Sequence, residues 1–204
     1  MSKKIKYKIH KFEQRSDEWY KIRLGKMTAS NAVTVGNNGK GLETYCYKLV
    51  AELLTNKLVI PEITEDMQRG IDLENEARVL FEIETGLKVD EIGFASYGDY
   101  AGCSPDGVTA DGKGNIEIKC LQPPAHVDML TGGKIDRKYL LQIQFQMACT
   151  SAEWCDAIFY NPSFPGRNSK LEIRIEKDIE IIDSIEEAIH KFGTELTALT
   201  KQLS

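Results

Sequence analysis

Glu117 and Lys119 stand two apart in a β-forming run, residues 115–121, and Asp106 precedes them in Ser104-Pro-Asp-Gly-Val108. Side chains two apart on a strand point to the same face, while Ile118 between them turns into the core. Pro105 fixes the backbone beside Asp106, and a hairpin brings that aspartate next to Glu117. Two carboxylates a few ångströms apart suit a hard divalent cation such as Mg²⁺, with substrate phosphate and water in the remaining positions. The Ile118 carbonyl is close enough to add an oxygen. A lysine beside the ion can orient or help deprotonate a water, and can neutralise charge on a phosphorane-like transition state. Glu-x-Lys alone is commonplace on an exposed strand face; Pro-Asp in a hairpin ahead of it gives it weight. Glu74, in Gly70-Ile-Asp-Leu-Glu-Asn-Glu-Ala-Arg-Val-Leu-Phe-Glu82, can supply a third carboxylate. Gln142 and Gln144, in Tyr139-Leu-Leu-Gln-Ile-Gln-Phe-Gln-Met147, can contact the ion's water or phosphate.

These residues need elements to position them. Ser16 or Asp17 caps a short helix to about Gly25, and Thr28 and Ser30 open another. Residues 35–42 read as a polar, glycine-rich loop. A helix is expected over 43–58, ended near Pro61. The clearest helix runs over 66–85, where Ile71, Leu73, Ala77, Leu80, Phe81 and Ile83 repeat near 3.6 and Gly86 is a natural stop. Strands are expected at 88–95, 99–103, 107–109, 115–121, 154–160 and 170–176, and helices at 125–131 and 137–150. Residues 178–204 form an amphipathic C-terminal helix. The pattern predicts a single α/β domain over residues 1–204, with a central mixed sheet flanked by helices and residues 1–11 as a basic N-terminal arm.

The chain has 204 residues, 42% hydrophobic and 28% charged, the composition of a soluble globular domain. No apolar run approaches the roughly 18–20 residues of a membrane span, so no membrane partner is expected. No secretory signal is expected either. The five cysteines, at 46, 103, 120, 149 and 155, have no Cys-x-x-Cys spacing and read as free buried thiols. His10, His126 and His190 are too dispersed for a metal cluster or a catalytic triad.

The chain carries 26 Lys and Arg against 31 Asp and Glu, a net of −5, which by itself argues against a nucleic-acid binder. The charge is uneven. Residues 1–26 hold nine basic residues against Glu13, Asp17 and Glu18, a net of +6, whereas residues 62–91 hold ten acids. Local fields, not the sum, steer a ligand. A positive inner surface and a negative exterior would reconcile the sum with DNA.

The set Gly70-x-x-x-Glu74, Ser104-Pro-Asp106-Gly, Glu117-x-Lys119 and Gln142-x-Gln144 resembles the nuclease motif PD-(D/E)xK. More closely, the chain resembles the phage-type exonuclease and viral recombinase family to which lambda exonuclease belongs. The resemblance covers roughly residues 12 to 176. It includes Glu13-Gln14, Asp17, Trp19, Arg23-Leu-Gly25, Thr28-Ala-Ser30, Gly132-Gly133, Trp154 and Tyr160-Asn-Pro162.

The resemblance implies a restriction endonuclease-like core that degrades one strand of linear double-stranded DNA, 5′ to 3′, leaving a 3′ single-stranded overhang for recombination. It implies Mg²⁺, or Mn²⁺, held by Asp106, Glu117 and the Ile118 carbonyl, with Glu74 on a second ion or its water. Lys119 would position the attacking water, with Gln144 beside both. Arg23, Ser30 and Ser104 would take the terminal 5′-phosphate; an arginine with two hydroxyls suits phosphate oxygens. Lys40 would be the basic residue that follows this pocket. Met67 would fall near the family's strand-separating wedge, and Gln142 would contact DNA. A homotrimer, a single-strand annealing protein as partner and a cytoplasmic location, in a bacterial or phage-infected cell, follow from the same likeness. Two alternatives remain open on the residues: a structure- or site-specific endonuclease of the same fold, and a non-catalytic DNA-end-binding protein.

Overall fold

A computed structural model describes residues 5–36, 40–60 and 62–204, the side chains of Val35 and Lys40 excepted. Lys40, proposed above as a DNA contact, opens a helix, but its side chain lies outside the described residues, as do residues 1–4, residues 37–39 of the glycine-rich loop, and Pro61.

The elements in chain order are β1 (Tyr7–His10), α1 (Asp17–Arg23), β2 (Met27–Thr28), α2 (Ala32–Gly36), α3 (Lys40–Thr55) and α4 (Glu65–Thr85). Then come β3 (Val89–Asp90), β4 (Phe94–Tyr97), β5 (Ala101–Cys103), β6 (Gly107–Thr109), β7 (Gly114–Cys120), α5 (Pro123–Leu130), α6 (Arg137–Thr150), β8 (Trp154–Tyr160), β9 (Lys170–Glu176) and α7 (Ile179–Leu203). Local chemistry sets several boundaries. Ser16 Oγ accepts the Trp19 N–H and starts α1; Thr64 Oγ1 accepts the Met67 N–H and starts α4. Gly86, at φ 72°, ends α4 in the left-handed conformation.

The strands form two sheets rather than one central sheet. A four-stranded sheet has the order β1-β4-β5-β2, and a five-stranded sheet the order β3-β6-β7-β8-β9. The expected strand over 88–95 is split: β3 joins one sheet and β4 the other. Part of the expected N-terminal arm is an edge strand, with Tyr7 opposite Tyr97 and His10 opposite Phe94. Ile5, Tyr7 and Ile9 alternate with Lys6 and Lys8 at a strand's period of two, and Ile5 and Ile9 pack against the core.

Helix α6 lies between the two sheets, which is why every residue from Ile143 to Thr150 is buried. Phe145, Ala148 and Cys149 pack into a core with the four-stranded sheet, α3 and α7. Ile143 and Met147 pack on the opposite side against Cys155, Ala157 and Phe159 of β8. Across the five-stranded sheet, Ala77 and Phe81 of α4 cover Ile116, Ile118 and Ile158. Strand β7 is therefore covered by α4 on one face and α6 on the other. Among the described residues, no helix is long and apolar enough to cross a membrane.

Candidate active site

The acidic site forms where β6 and β7 part. The two strands pair only through Gly107 opposite Ile116 and Val108 opposite Asn115. Past that point the Ile118 N–H is left for a side chain, and Asp106 Oδ2 accepts it at 2.6 Å. A Cβ on Gly107 would sit 2.2 Å from Val89 Cγ1, so the residue after Asp106 must be glycine. Burial, followed by the charges of Glu117 and Glu74, pushes the Asp106 carboxyl well above the ordinary carboxylate range.

Glu117 faces α6 and is only 2% exposed. Its Oε1 lies 2.5 Å from Lys119 Nζ and accepts from Gln142 Nε2 at 2.7 Å; its Oε2 accepts from Gln146 Nε2, also at 2.7 Å. Burial opposes charge on Lys119, but the carboxylates of Glu117 and Asp106 outweigh it and hold the ammonium above its ordinary value. Lys119 Nζ also sits 4.9 Å from the centre of the Tyr139 ring.

Glu74 reaches the site from α4. Burial raises its carboxyl despite the opposing charge of Arg78, whose guanidinium is 3.7 Å away. Arg78 is itself buried. It donates to the Asp106 main-chain carbonyl at 3.0 Å and to Asn75 Oδ1 at 3.2 Å, and pairs with Glu91 at 2.6 Å. It ties the helix that carries Glu74 to the turn that carries Asp106.

Among the described residues, no group of three His, Cys, Asp or Glu side chains forms a ready-made metal cage. The donor set still fits Mg²⁺, which keeps several waters and needs only one or two carboxylates beside substrate phosphate. Asp106 and Glu117 are hard oxygen donors whose mutual repulsion a cation would relieve, and Ile118 lines the same cleft.

That cleft, about 520 Å³, is lined by Glu74, Asp106, Glu117 and Lys119 and also by Arg15, Arg23, Lys26 and Lys48, and the charge of Arg15 acts on Glu74. The Arg23 guanidinium stacks 4.0 Å above the Trp19 ring and 5.9 Å from that of Phe94. Among the described residues it forms no salt bridge, and burial lowers its pKa. Glu52 also lines the cleft; its carboxylate accepts the Gly25 and Val59 N–H groups and lies 3.9 Å from Lys48 Nζ. Of the ten acids between 62 and 91, Glu74 alone lines the cleft among the described residues.

The remaining expected residues separate. Ser30 is exposed in the cleft that Arg23 also lines, with its Oγ 3.2 Å from Thr28 Oγ1. Ser104 does not line the cleft: its Oγ donates to the Gly93 carbonyl at 2.7 Å and accepts the Trp19 indole N–H at 2.8 Å, so it holds Trp19 beneath Arg23. Met67 is 46% exposed at the cleft wall, near Ile60 and Ile63. Gln142 is in the site. Gln144 is not: its amide donates to the Glu176 carbonyl and accepts the Asp178 N–H, where β9 passes into α7. Residues two apart on a helix diverge by about 200°, so the partner of Gln142 on its own face is Gln146, four residues on. Gln146 and Arg78 went unnoticed in the sequence; the Gln142–Gln146 spacing was the available signal for the first.

A sequence model of the YqaJ-like viral recombinase domain matches residues 18–153. An alkaline exonuclease from Laribacter hongkongensis is 37% identical, with a TM-score of 0.85 over 92% of this chain and 96% of its own. The structure of that exonuclease in complex with dAMP gives 36% identity and a TM-score of 0.84, again over 92% and 96%. A phage-related exonuclease from Haemophilus somnus 129PT, at 15% identity and a TM-score of 0.69 over 88% and 96%, shares the fold. No match is found among curated protein sequences.

Proposed function

The chain belongs to the YqaJ-like viral recombinase family and is a nuclease, and from that premise we propose that it is an exonuclease acting on the ends of linear double-stranded DNA. It removes one strand 5′ to 3′ and leaves a 3′ single-stranded overhang for recombination. One observation carries the reading: a single cleft is lined both by Asp106, Glu117 and Lys119 and by the Trp19-stacked Arg23. The likeness to an alkaline exonuclease from Laribacter hongkongensis supports the exonuclease part of the reading, and the strand direction rests on the resemblance noted in the sequence.

Asp106, Glu117 and the Ile118 carbonyl hold Mg²⁺, or Mn²⁺, with Glu74 on a second ion or its water. When bound, the ion polarises the scissile phosphate and stabilises the leaving 3′-oxygen. Lys119, charged and held against Glu117, orients the attacking water and offsets developing negative charge. Arg23, with Ser30, binds the terminal 5′-phosphate, and Ser104 acts through Trp19 by fixing the ring under the guanidinium. Binding the end in a separate pocket sets the register of cleavage without reading sequence. Met67 with Ile60 and Ile63 offers an apolar wall against which terminal base pairs part. A homotrimer and a single-strand annealing protein as partner complete the proposal, in the cytoplasm of a bacterial or phage-infected cell.

The test is digestion with Mg²⁺ of three duplexes: linear with 5′-phosphate, linear with 5′-hydroxyl, and covalently closed circular. The phosphorylated linear duplex should be degraded fastest and the circle left intact. Cutting of the circle would make the protein an endonuclease, and no digestion at all would make it an end-binding protein.

A further inference from the structure

Gln146 is 1% exposed, and its amide is split in an unusual way: Nε2 donates to Glu117 Oε2 at 2.7 Å, while Oε1 is buried with no hydrogen-bond partner. Turning the amide over would set two acceptors against each other, so the Nε2 group must face Glu117. An apolar side chain would fill the same space without leaving a buried carbonyl unpaired. The glutamine is held at the cost of that orphan acceptor, and what it gains is the bond to Glu117.

The three donors on Glu117 are not equivalent. Lys119 and Gln142, both on Oε1, line the cleft and are within reach of DNA and solvent. Gln146 does not line the cleft. It is anchored from below, where Thr150 Oγ1 donates to the Gln146 main-chain carbonyl at 2.9 Å and accepts from Asn115 Nδ2 at 2.9 Å. Asn115 lies on β7 two residues before Glu117, so this link locks α6 to the strand that carries the carboxylate.

We propose that Gln146 is the positioning residue of the metal site: it commits Glu117 Oε2 to the protein and leaves Oε1, on the Lys119 side, as the oxygen available to a divalent cation. The inference rests on Glu117 being a metal ligand. Partners behind a ligating side chain orient it, and their loss weakens metal binding by about 10–100-fold.

The experiment measures Mn²⁺ binding to the metal-free protein by calorimetry, with thermal unfolding in EDTA as the check on folding. Gln146→Met, similar in length but without the donor, should bind Mn²⁺ about 10–100-fold more weakly. Its unfolding should remain a single cooperative transition, which shows that the variant folds. Native-like Mn²⁺ affinity in Gln146→Met overturns the inference. Should that variant not fold, the side-chain amide protons of Gln146 in the native chain decide by nuclear magnetic resonance. They should stay slow to exchange with solvent when Mg²⁺ is saturating, and fast exchange overturns the inference. Glu117→Gln separates the two levels. If it binds Mn²⁺ like the native chain, the underlying assignment of Glu117 fails; if it loses binding while Gln146→Met does not, only the role of Gln146 fails.

Discussion

Asp106 Oδ2 accepts the main-chain N–H of Ile118 at 2.6 Å, so the carboxylate takes the place of the strand partner that β6 no longer supplies. The bond pins Asp106 one residue from both Glu117 and Lys119. Burial, followed by the charges of Glu117 and Glu74, raises the Asp106 carboxyl, and the Glu117 charge adds to the burial that raises Glu74. The metal-free site is therefore a source of instability that a bound cation would relieve.

The first prediction concerns that instability. Burial and the neighbouring carboxylates raise the Asp106 carboxyl above its unfolded value of about 3.9. The native state then holds this proton more tightly than the unfolded chain does. The contribution to stability is full at low pH and is lost as pH rises through the native value. Asp106→Asn keeps an acceptor for the Ile118 N–H and removes the charge. In EDTA it should melt at a higher temperature than the native protein at about pH 8 and at a similar one at about pH 4, while nuclease activity disappears. A melting difference that does not change with pH would count against the assignment.

Lys119 competes with any cation for Glu117 Oε1, since its Nζ is 2.5 Å from that atom. Lys119→Met should slow cleavage by on the order of 10²–10³-fold. It should bind Mn²⁺ at least as tightly as the native chain. Weakened Mn²⁺ binding in calorimetry would mean that the lysine supports the site rather than acting on water or substrate.

Arg23 has no carboxylate partner among the described residues and rests on Trp19. Charge-assisted hydrogen bonds of about 1.5–3 kcal/mol correspond to roughly 10–150-fold in kcat/KM. Arg23→Ala should lose about that much on 5′-phosphorylated ends and little on 5′-hydroxyl ends. Ser104→Ala should produce a smaller loss of the same preference, with a stability cost of about 1 kcal/mol. Equal losses on both kinds of end would remove the phosphate pocket from this place.

Arg78 is 7% exposed and joins Asn75, Glu91 and the Asp106 carbonyl. Arg78→Met should destabilise the protein by about 1.5–3 kcal/mol in denaturant unfolding, the worth of hydrogen bonds to a charged group. Arg78→Lys should recover only part of this, because an ammonium cannot span three separated acceptors. A neutral result for Arg78→Met would show that α4 and the Asp106 turn are held together by apolar packing alone.

The salt dependence of cleavage checks how the cleft's cations are used. Replacing Arg15 or Lys48 with alanine should lower the slope of log activity against log salt by about one each, uniformly across sequences. An unchanged slope would place the duplex elsewhere on the surface.

The residues with short-range logic were legible in the chain itself. Glu117 and Lys119 share a face because a strand repeats every two residues, and α4 runs to Gly86 because its apolar period and its stop signal agree. What lay beyond the sequence was decided by pairing and packing across long separations. The alternation of Ile5, Tyr7 and Ile9 with lysines carries a strand's period inside the expected basic arm, but the partner that makes Tyr7–His10 an edge strand, Phe94–Tyr97, lies far along the chain. The expected strand over 88–95 divides between two sheets, a choice made by partners that local composition does not name. Gln144 lies two residues from Gln142 on the expected helix, but the helix turns it to the other side and brings Gln146 onto Glu117 instead. Ser104 carries the hydroxyl expected for phosphate, yet the fold spends it on Gly93 and Trp19. Residue types and local periodicity determine which groups can do the chemistry; which of them meet depends on contacts between distant segments, and those exist only once the chain has closed around α6.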